Sequence, residues 1–197
     1  MSVPDGYFDV PPGKIAAVVT SLEMLAPPVL PPDPVGDWSL RRVARPDPAW
    51  YRDLYARVGR EWLWTQRLRM SEAELSKTIR ADGVEISTLE HAGGDEALLE
   101  LEFSKKNECE LVLFGVTSRL IGTSAGRFLM NHALRRAWAQ PLTRLWVHTC
   151  SFDHPRALAF YQRSGFRPYR RQIEIAPDPR LDGTLPREVA AHVPLLA

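Results

Sequence analysis

The sequence predicts a mixed α/β (α+β) fold in a single domain, and two patterns along the chain predict it. Alternating apolar and polar residues over 84–116 are broken by polar turns, which is typical of antiparallel hairpins. After residue 124 the pattern changes to helix, strand, helix and strand. The chain has 197 residues, 45% of them hydrophobic, which is enough apolar material for one core.

The N-terminal region, residues 1–37, is expected to be an extension of the domain. Residues 13–24 favour a strand that docks on the main body or on a partner chain. Eight of the 17 prolines fall within residues 1–36, and proline lacks the backbone donor that helices and central strands need. We therefore expect a proline-rich linker at 27–37, a main domain at 38–176 and a tail at 177–197 that packs on the domain.

The first half of the main domain predicts a strand, two helices and a three-stranded meander. Weak alternation favours a strand at 38–46. A helix over 47–64 opens with Asp-Pro, which is a helix start, and has apolar residues at three- and four-residue spacing. Ser71 and Glu74 form a capping box at the start of a second helix, and the meander over 84–116 follows.

The second half of the domain predicts two further helices, each followed by a strand. The first helix covers 124–139 and ends before Pro141, and a strand follows at 142–150. The next helix covers 155–164 and ends at a glycine, before a last strand around 170–175.

Charge and hydropathy exclude several classes of protein. With 25 Lys and Arg against 24 Asp and Glu, the net charge is only +1, which does not indicate a nucleic-acid-binding protein. The apolar runs are far shorter than the roughly 20 residues that span a bilayer. The N-terminus has no basic cluster before an apolar run, so we expect no secretory signal, no membrane segment and a cytoplasmic location.

Cysteine and histidine spacing predicts no metal site. Cys109 and Cys150 lie in strand-like runs without CxxC spacing, and we expect buried free thiols. The histidines do not form an HExxH motif or another ligand spacing. They are His91, His132, His148, His154 and His192.

The segment before the 124–139 helix predicts an anion site. Small residues stand where backbone amides at a helix N-terminus can face a ligand, namely Gly122, Ser124, Ala125 and Gly126. Arg119 and Arg127 flank this loop, and their charges suit a pyrophosphate. The alternative is a plain connection whose Gly and Ser cap the helix.

Gly115 adds to this prediction, because a glycine within an apolar strand marks a bulge or a close approach to the backbone. We expect a bulge there that exposes N–H and C=O groups of Phe114 and Val116. These groups could pair with an extended amide-bearing ligand, such as pantetheine, as an added strand would.

A helical segment near the C-terminus completes the pattern. Ala157, Phe160 and Tyr161 share one helix face, and Gly165 ends the helix before Phe166 resumes a strand. Taken from the residues alone, Tyr161 is a functional candidate or a core aromatic.

Together these segments resemble the GCN5-related N-acetyltransferase (GNAT) superfamily. Its fingerprint is a strand, a Q/R-x-x-G-x-G/A loop that opens a helix, and a later N-x-x-A-x-x-x-Y-x-x-x-G-F motif. The later motif is matched at its Ala, Tyr, Gly and Phe, with His154 in place of the asparagine. In the loop, Gly122 and Gly126 fit, Ile121 stands where the family has Gln or Arg, and Ser124 replaces a glycine.

The resemblance covers roughly residues 38–176 and implies the GNAT fold. This fold has a central, mixed, mostly antiparallel sheet flanked by helices, with splayed parallel strands at the coenzyme A site. The resemblance implies acetyl-CoA as co-substrate and no metal. The residues implied to contact coenzyme A are Phe114, Val116, Arg119, Ile121, Gly122, Thr123, Ser124, Ala125, Gly126, Arg127, His154 and Tyr161.

The resemblance also implies a mechanism. Histone-modifying members place a catalytic glutamate six residues before the strand-end residue whose amide meets the thioester, and Glu110 lies six residues before Val116. Glu110 would act as the base, the Val116 N–H would stabilise the oxyanion, and Tyr161 would protonate the leaving thiolate. The alternative for Glu110 is a solvent-facing carboxylate on an antiparallel strand.

The implied function is transfer of an acetyl group from acetyl-CoA to a primary amine of a small molecule, amino acid or peptide. Tyr55, Trp62 and Trp64 line an acceptor pocket or belong to the core. Two other functions stay open from the sequence. One is a non-catalytic acyl-CoA-binding module that regulates a partner. The other is a structural protein whose N-terminal strand completes another subunit's sheet, and this strand is equally compatible with an enzyme homodimer.

Overall fold

The computed structural model describes residues 5–196, and within them eight strands form one sheet with four helices packed against it. The strands are β1 (Lys14–Met24), β2 (Ser39–Val43), β3 (Val84–His91), β4 (Gly94–Asp95), β5 (Ala97–Glu102), β6 (Glu108–Val116), β7 (Arg144–Cys150) and β8 (Arg167–Pro177). The helices are α1 (Pro48–Gly59), α2 (Glu72–Ile79), α3 (Ala125–Trp138) and α4 (Ala157–Arg163), and short 3-10 turns cover Arg60–Trp62 and Ser118–Leu120.

The strand order in the sheet is β2-β3-β5-β6-β7-β1-β8, with the short β4 beside β3. Neighbouring strands are antiparallel except β6 and β7, which are parallel. The predicted fold class, a mixed and mostly antiparallel sheet flanked by helices, is confirmed. The meander predicted over 84–116 corresponds to β3, β5 and β6.

The first strand in the chain lies inside the sheet rather than at its edge. β1 pairs with β7 on one side, where Val19 is opposite Cys150, and with β8 on the other, where Val19 is opposite Gln172. Of the two positions that the sequence left open for this strand, the structure has the one on the main body. The division of the chain at residues 38 and 177 stays a prediction.

Local signals in the sequence explain where the first two helices begin. The Asp47 carboxylate accepts hydrogen bonds from the N–H groups of Ala49 and Trp50, with Pro48 in the first turn of α1. The predicted capping box of Ser71 and Glu74 is present at the start of α2.

The helix predicted over 47–64 is wrong for its last five residues, 60–64. α1 ends at Gly59, and a 3-10 turn leads to Leu63, whose φ of 57° is left-handed. The N–H of Trp64 then donates to the carbonyl of Gly59 at 3.1 Å. This closure turns the chain away from the helix axis, because a left-handed residue cannot continue an α-helix.

Each face of the sheet carries its own buried cluster. One cluster packs α3 and α4 on the sheet and includes Leu111, Leu129 and Tyr161. The other packs α1 and α2 on the opposite face and includes Tyr51 and Leu98. At a typical gain of about 25 cal/mol for each Å² of apolar surface buried, these clusters supply most of the stability of the fold.

The C-terminal tail is held by a buried ion pair. Arg180 Nη2 lies 2.7 Å from an Asp178 carboxylate oxygen, and both side chains are almost completely buried. The same guanidinium donates to the Val193 carbonyl at 2.8 Å, so it ties the chain end to the strand that precedes it. A third apolar cluster of Leu63 with Leu185, Val189, Ala190 and Val193 lies under the tail.

Within residues 5–196, no helix has the length and apolar character needed to cross a membrane. The same part of the chain contains no group of three or more His, Cys, Asp or Glu side chains that could hold a metal ion. Cys109 is fully buried, and Cys150 is half-buried at a cavity wall.

Candidate active site

The parallel strands β6 and β7 separate partway along their length. They pair only at the three positions from Glu108 opposite Arg144 to Glu110 opposite Trp146. Beyond Glu110, β6 pairs with β5 alone and β7 with β1 alone. A cavity of about 860 Å³ lies along this gap, and it is lined from both faces of the sheet.

The free edge of β6 presents backbone groups to the cavity. The Thr117 N–H donates to the carbonyl of Glu96, the residue before β5, at 2.9 Å. The N–H of Thr117 therefore points toward β5. Because backbone groups alternate in direction along a strand, the N–H groups of Phe114 and Val116 point the other way, into the gap. Phe114 and Val116 are the two residues whose backbone groups were predicted from the sequence to pair with an extended ligand.

The bulge predicted at Gly115 is wrong. Gly115 pairs regularly with Leu98, and the irregularity lies between Glu100 and Leu101 on β5, where Val112 is the extra residue on β6. Gly115 instead makes room for α1, since a Cβ atom there would lie 2.4 Å from Val58 Cγ1. The glycine therefore permits close helix packing behind the cavity.

The loop before α3 lines the cavity as the sequence suggested, with two exceptions. The lining residues are Ile121, Gly122, Thr123, Ser124, Gly126 and Arg127. Gly122 has a φ of +83°, a conformation that suits glycine. Ala125 is fully buried in the core. Arg119 points away from the cavity and lies 3.2 Å from a Glu96 carboxylate oxygen.

The cap of α3 is made by a residue other than the predicted ones. The Thr123 hydroxyl accepts a hydrogen bond from the Ala125 N–H at 3.1 Å, whereas the Ser124 side chain makes no cap bond. The first amides of α3 have no partner within the helix, and the positive end of the helix dipole faces the same space. This arrangement suits an anion.

Positive side chains surround the same helix end. The Arg127 guanidinium lies 4.9 Å from the centre of the Phe160 ring and donates to the Ser164 hydroxyl at 3.0 Å. Burial, with a smaller effect of Arg163, lowers the pKa of Arg127. Arg156 and Arg163 also line the cavity. Neither was predicted from the sequence, although both lie at variable positions within the Tyr161 motif.

Tyr161 reaches the cavity from α4 and is held by aromatic neighbours. Its ring centre lies 6.2 Å from that of Phe114, 6.0 Å from Phe160 and 5.9 Å from Phe166. Burial, with a smaller effect of the Asp153 charge, raises the pKa of Tyr161 well above its usual value. Tyr161 is therefore both a core aromatic and a cavity residue, and it is fully protonated at neutral pH.

Glu110 lies at the point where β6 and β7 separate. Burial, and then the charge of Glu102, raises the pKa of Glu110 to about 7. The nearest histidine nitrogen, Nδ1 of His148, is 3.7 Å from a Glu110 carboxylate oxygen. A half-buried carboxyl group with a pKa near neutrality is suited to general base catalysis.

A wall of aromatic residues encloses the α1 side of the cavity. Tyr55 is buried with its ring centre 5.6 Å from that of Trp64, and Trp62 lies between two histidines. The ring centres of His154 and His192 are 5.1 and 5.9 Å from that of Trp62. Burial, with a smaller effect of the Arg156 charge, lowers the pKa of His154.

Asp153 joins this wall to the end of β7, and sequence reasoning gave it no role. One carboxylate oxygen accepts from Trp64 Nε1 at 3.0 Å. The other accepts from the Thr149 hydroxyl at 2.7 Å and from the Cys150 N–H at 2.9 Å. The carboxylate thus ties the aromatic wall at Trp64 to the end of β7.

The opposite wall comes from the first and last strands of the chain, β1 and β8. Ala17 and Val19 of β1 and Glu174 of β8 line the cavity. Arg67 also lines it, but its Nη2 lies 2.6 Å from a Glu100 oxygen and both side chains are buried. Breaking a buried ion pair costs several kcal/mol. We therefore expect the Arg67 guanidinium to stay bound to Glu100 and not to contact a ligand.

A splayed sheet with a helix end that suits an anion, and a cavity along the gap between β6 and β7, is the architecture that the resemblance to the GNAT superfamily implies. A sequence model of the acetyltransferase (GNAT) family matches residues 46–166, which is more than half of the chain. The chain therefore belongs to this family, as the sequence motifs predicted.

Solved structures give the same fold at low sequence identity. A GCN5-related N-acetyltransferase from Sphaerobacter thermophilus is 11% identical with a TM-score of 0.62, over 85% of this chain and 52% of that one. A functionally unknown protein from Staphylococcus epidermidis is 13% identical with a TM-score of 0.60, over 84% and 63%. Ard1 from Thermoplasma volcanium is 17% identical with a TM-score of 0.56, over 72% and 99%.

The chain spans between about half and two thirds of the length of the first structures that it matches. One of the similar structures is a tandem GNAT protein from the clavulanic acid biosynthesis pathway, of which the chain covers 54%. No curated protein matches the chain.

Proposed function

We propose that the protein transfers an acetyl group from acetyl-CoA to a primary amine of a small molecule, an amino acid or a peptide. One observation carries this proposal. Glu110, Tyr161 and the outward edge of β6 at Val116 all line a single cavity in the gap between β6 and β7. This supports the proposal, because the proposed base, the proposed hydrogen-bond donor to the leaving sulfur and the proposed oxyanion donor border the same space.

The residues on the α3 side of the cavity fit acyl-CoA. The amides at the start of α3, together with Arg127, suit the pyrophosphate. The outward groups of Phe114 and Val116 suit the amide-bearing pantetheine arm. The missing Gln or Arg at Ile121 removes one side chain, but Arg156 and Arg163 supply positive charge on the same cavity. Arg119 takes no part in this proposal.

Glu110 acts as the base. An amine with a pKa near 10.4 is almost wholly protonated at neutral pH and must lose a proton before its nitrogen can attack. A carboxylate with a pKa of about 7 accepts that proton, directly or through water, more readily than one near 4.5. Acetyl-CoA supplies a thioester whose carbonyl carbon is open to attack, and the Val116 N–H donates to the carbonyl oxygen as negative charge develops.

Tyr161 acts on the departing sulfur. A thiol has a pKa near 8.5, and burial raises that of Tyr161 above the ordinary phenol value near 10. Complete proton transfer to the thiolate is therefore uphill by more than about 1.5 pKa units, or about 2 kcal/mol. This favours a hydrogen bond from the phenol that stabilises the thiolate until solvent protonates it.

The aromatic wall is proposed to bind the acceptor. Trp62, Trp64 and Glu110 line the same cavity, and Trp64 packs on Tyr55 of α1, on the face of the sheet opposite α3 and α4. Because an ammonium group is attracted to the face of an indole ring, this wall suits an amine. A cytoplasmic location stays a prediction from the sequence.

The test is to follow free thiol release from acetyl-CoA across a panel of amines, amino acids and peptides, with Tyr161→Phe as control. We expect release that depends on the acceptor and that falls strongly in the variant. Thermal stabilisation by coenzyme A without release for any acceptor would contradict acetyl transfer. It would favour a module that only binds acyl-CoA.

A further inference from the structure

The last strand of the sheet, β8, has an open outer edge. β1 covers its inner edge through ten paired positions, and no strand within residues 5–196 pairs with the other side. Every residue of β8 except Ala176 is exposed. A long exposed edge presents a row of backbone donors and acceptors that can pair with another strand.

One face of this edge carries exposed aliphatic side chains. Ile173 is 61% exposed and Ile175 is 49% exposed. Val18 of β1, directly opposite Ile173, is 40% exposed and extends the same apolar surface inward. Exposed apolar patches beside an unpaired strand edge are typical of an association surface.

The other face of β8 carries charges of both signs. Arg170 and Glu174 are four residues apart, so they lie on the same face, and Glu174 lines the cavity. Both are exposed, and neither forms an ion pair within the part of the chain that the structure describes. A strand with this pattern can be complementary to itself.

A twofold axis perpendicular to the sheet restricts how two copies of β8 could pair. Each residue i faces residue 2k−i of the second copy, where k is the residue on the axis. An axis on Arg170, Arg171 or Glu174 would place like charges directly opposite each other. An axis on Gln172 places each Arg170 opposite Glu174 of the second copy, twice by symmetry.

The same register keeps the paired segment regular. β8 has a bulge at Tyr169, because Arg170 pairs with Ser21 and Pro168 pairs with Leu22, and an axis on Gln172 needs only the regular segment 170–174. This segment contains no proline, and Arg171 lies opposite Ile173 of the second copy. An axis on Ile173 creates no opposite-charge pair at all.

We propose that β8 pairs antiparallel with β8 of a second copy about an axis at Gln172, which joins the two sheets into one. The proposal rests on the edge alone and does not depend on the proposed function. It has a consequence for the site, because Glu174 lines the cavity. Arg170 of the second copy lies against this wall, so each copy contributes a charged residue to the margin of its partner's cavity.

The test is sedimentation velocity of the full chain, which needs no substrate. Wild type is expected to sediment as a dimer. Arg170→Glu alone or Glu174→Arg alone places like charges at both symmetric contacts, and each is expected to raise the dimer dissociation constant at least about tenfold. Arg187→Glu, at an exposed position in the tail, is the matched control and leaves the dimer intact.

Mixing the two single variants gives the decisive result. In a mixed pair both contacts again join opposite charges, so the mixture is expected to form dimers that neither variant forms alone. Circular dichroism checks that each variant is folded. A monomeric wild type, or a dimer that both charge reversals leave unchanged, would overturn the proposal, and the second result would place the dimer interface on another face.

Discussion

Replacing Glu110 by Gln tests the base through the pH dependence of the reaction. With a pKa of about 7, roughly 10% of Glu110 is ionised at pH 6 and roughly 90% at pH 8. Gln keeps the shape of the side chain and cannot accept the proton. A lost general base typically costs 10²- to 10⁴-fold in rate, so kcat/KM at pH 8 is expected to fall by about that factor.

The acceptor amine also loses a proton over this pH range, and its ionisation affects wild type and variant alike. Dividing the wild-type kcat/KM by that of the variant therefore cancels the ionisation of the acceptor. The pH dependence of this ratio reports the ionisation of Glu110 alone. We expect the ratio of wild type to variant to rise about tenfold between pH 6 and pH 8 and to level off above pH 8. Thiol release with the best acceptor of the panel measures it. A ratio that is constant with pH would refute the assignment of Glu110 as the base.

Glu102→Gln is the matched carboxylate control. The Glu102 charge is the second cause, after burial, of the raised pKa of Glu110. Its removal is expected to lower that pKa and to shift the inflection of the rate profile to lower pH, with activity retained at pH 8. Loss of activity equal to that of Glu110→Gln would instead assign the base to Glu102.

The same pKa predicts a difference in stability. The folded pKa is raised above the ordinary value of 4.5, so the folded state binds the proton more tightly than the unfolded state. Below about pH 4.5 the carboxyl is neutral in both states. As the pH rises to about 7, wild type is expected to lose up to about 3 kcal/mol of unfolding free energy relative to Glu110→Gln, measured by urea titration.

Three further substitutions test other parts of the structure. Tyr161→Phe is expected to lower turnover roughly 10²-fold while acetyl-CoA binding persists, and unchanged turnover would remove the phenol from the mechanism. Gly115→Ala places a Cβ atom 2.4 Å from Val58 Cγ1 and is expected to cost about 1–3 kcal/mol in urea unfolding. Val58→Ala in the same chain should recover part of that cost, and strictly additive effects would contradict the steric explanation. Arg180→Met leaves the Asp178 carboxylate buried without its partner and is expected to cost about 3–5 kcal/mol, whereas a loss below about 1 kcal/mol would mean that the tail is not held by this pair.

Features that depend on local chemistry could be predicted from the sequence. The capping box of α2 and the Asp-Pro start of α1 involve residues within one helical turn, and both are present in the structure. The motif around Tyr161 is equally local, because a helix face and a following glycine are defined by short spacings.

Features that depend on strand pairing could not be predicted in this way. Gly115 was expected to form a bulge because glycine is common at bulges, yet the extra residue is Val112. A bulge arises from the register between two strands, and nothing in the composition of one strand fixes it. The place of β1 between β7 and β8 depends on partners more than 120 residues away.

The roles of the charged residues depended on tertiary contacts as well. Arg119 was expected near the pyrophosphate, but the Glu96 carboxylate holds it on the far side of the loop. Arg156 and Arg163 reach the cavity from the ends of α4. Sequence spacing places such residues near the site, but it does not say which long side chain points inward and which pairs elsewhere.

The position of β1 has a consequence for how the chain folds. β1 is synthesised first, but its partners β7 and β8 are among the last strands to be made. Until residues 144–177 emerge, the β1 segment has no neighbour to pair with, and β8 has no other strand to pair with within the sheet. Such distant contacts slow folding, because a long loop must close before any pairing is gained. We therefore expect refolding from urea to be slow for a chain of this size, and a chain that starts at residue 38 to leave β8 detached from the sheet.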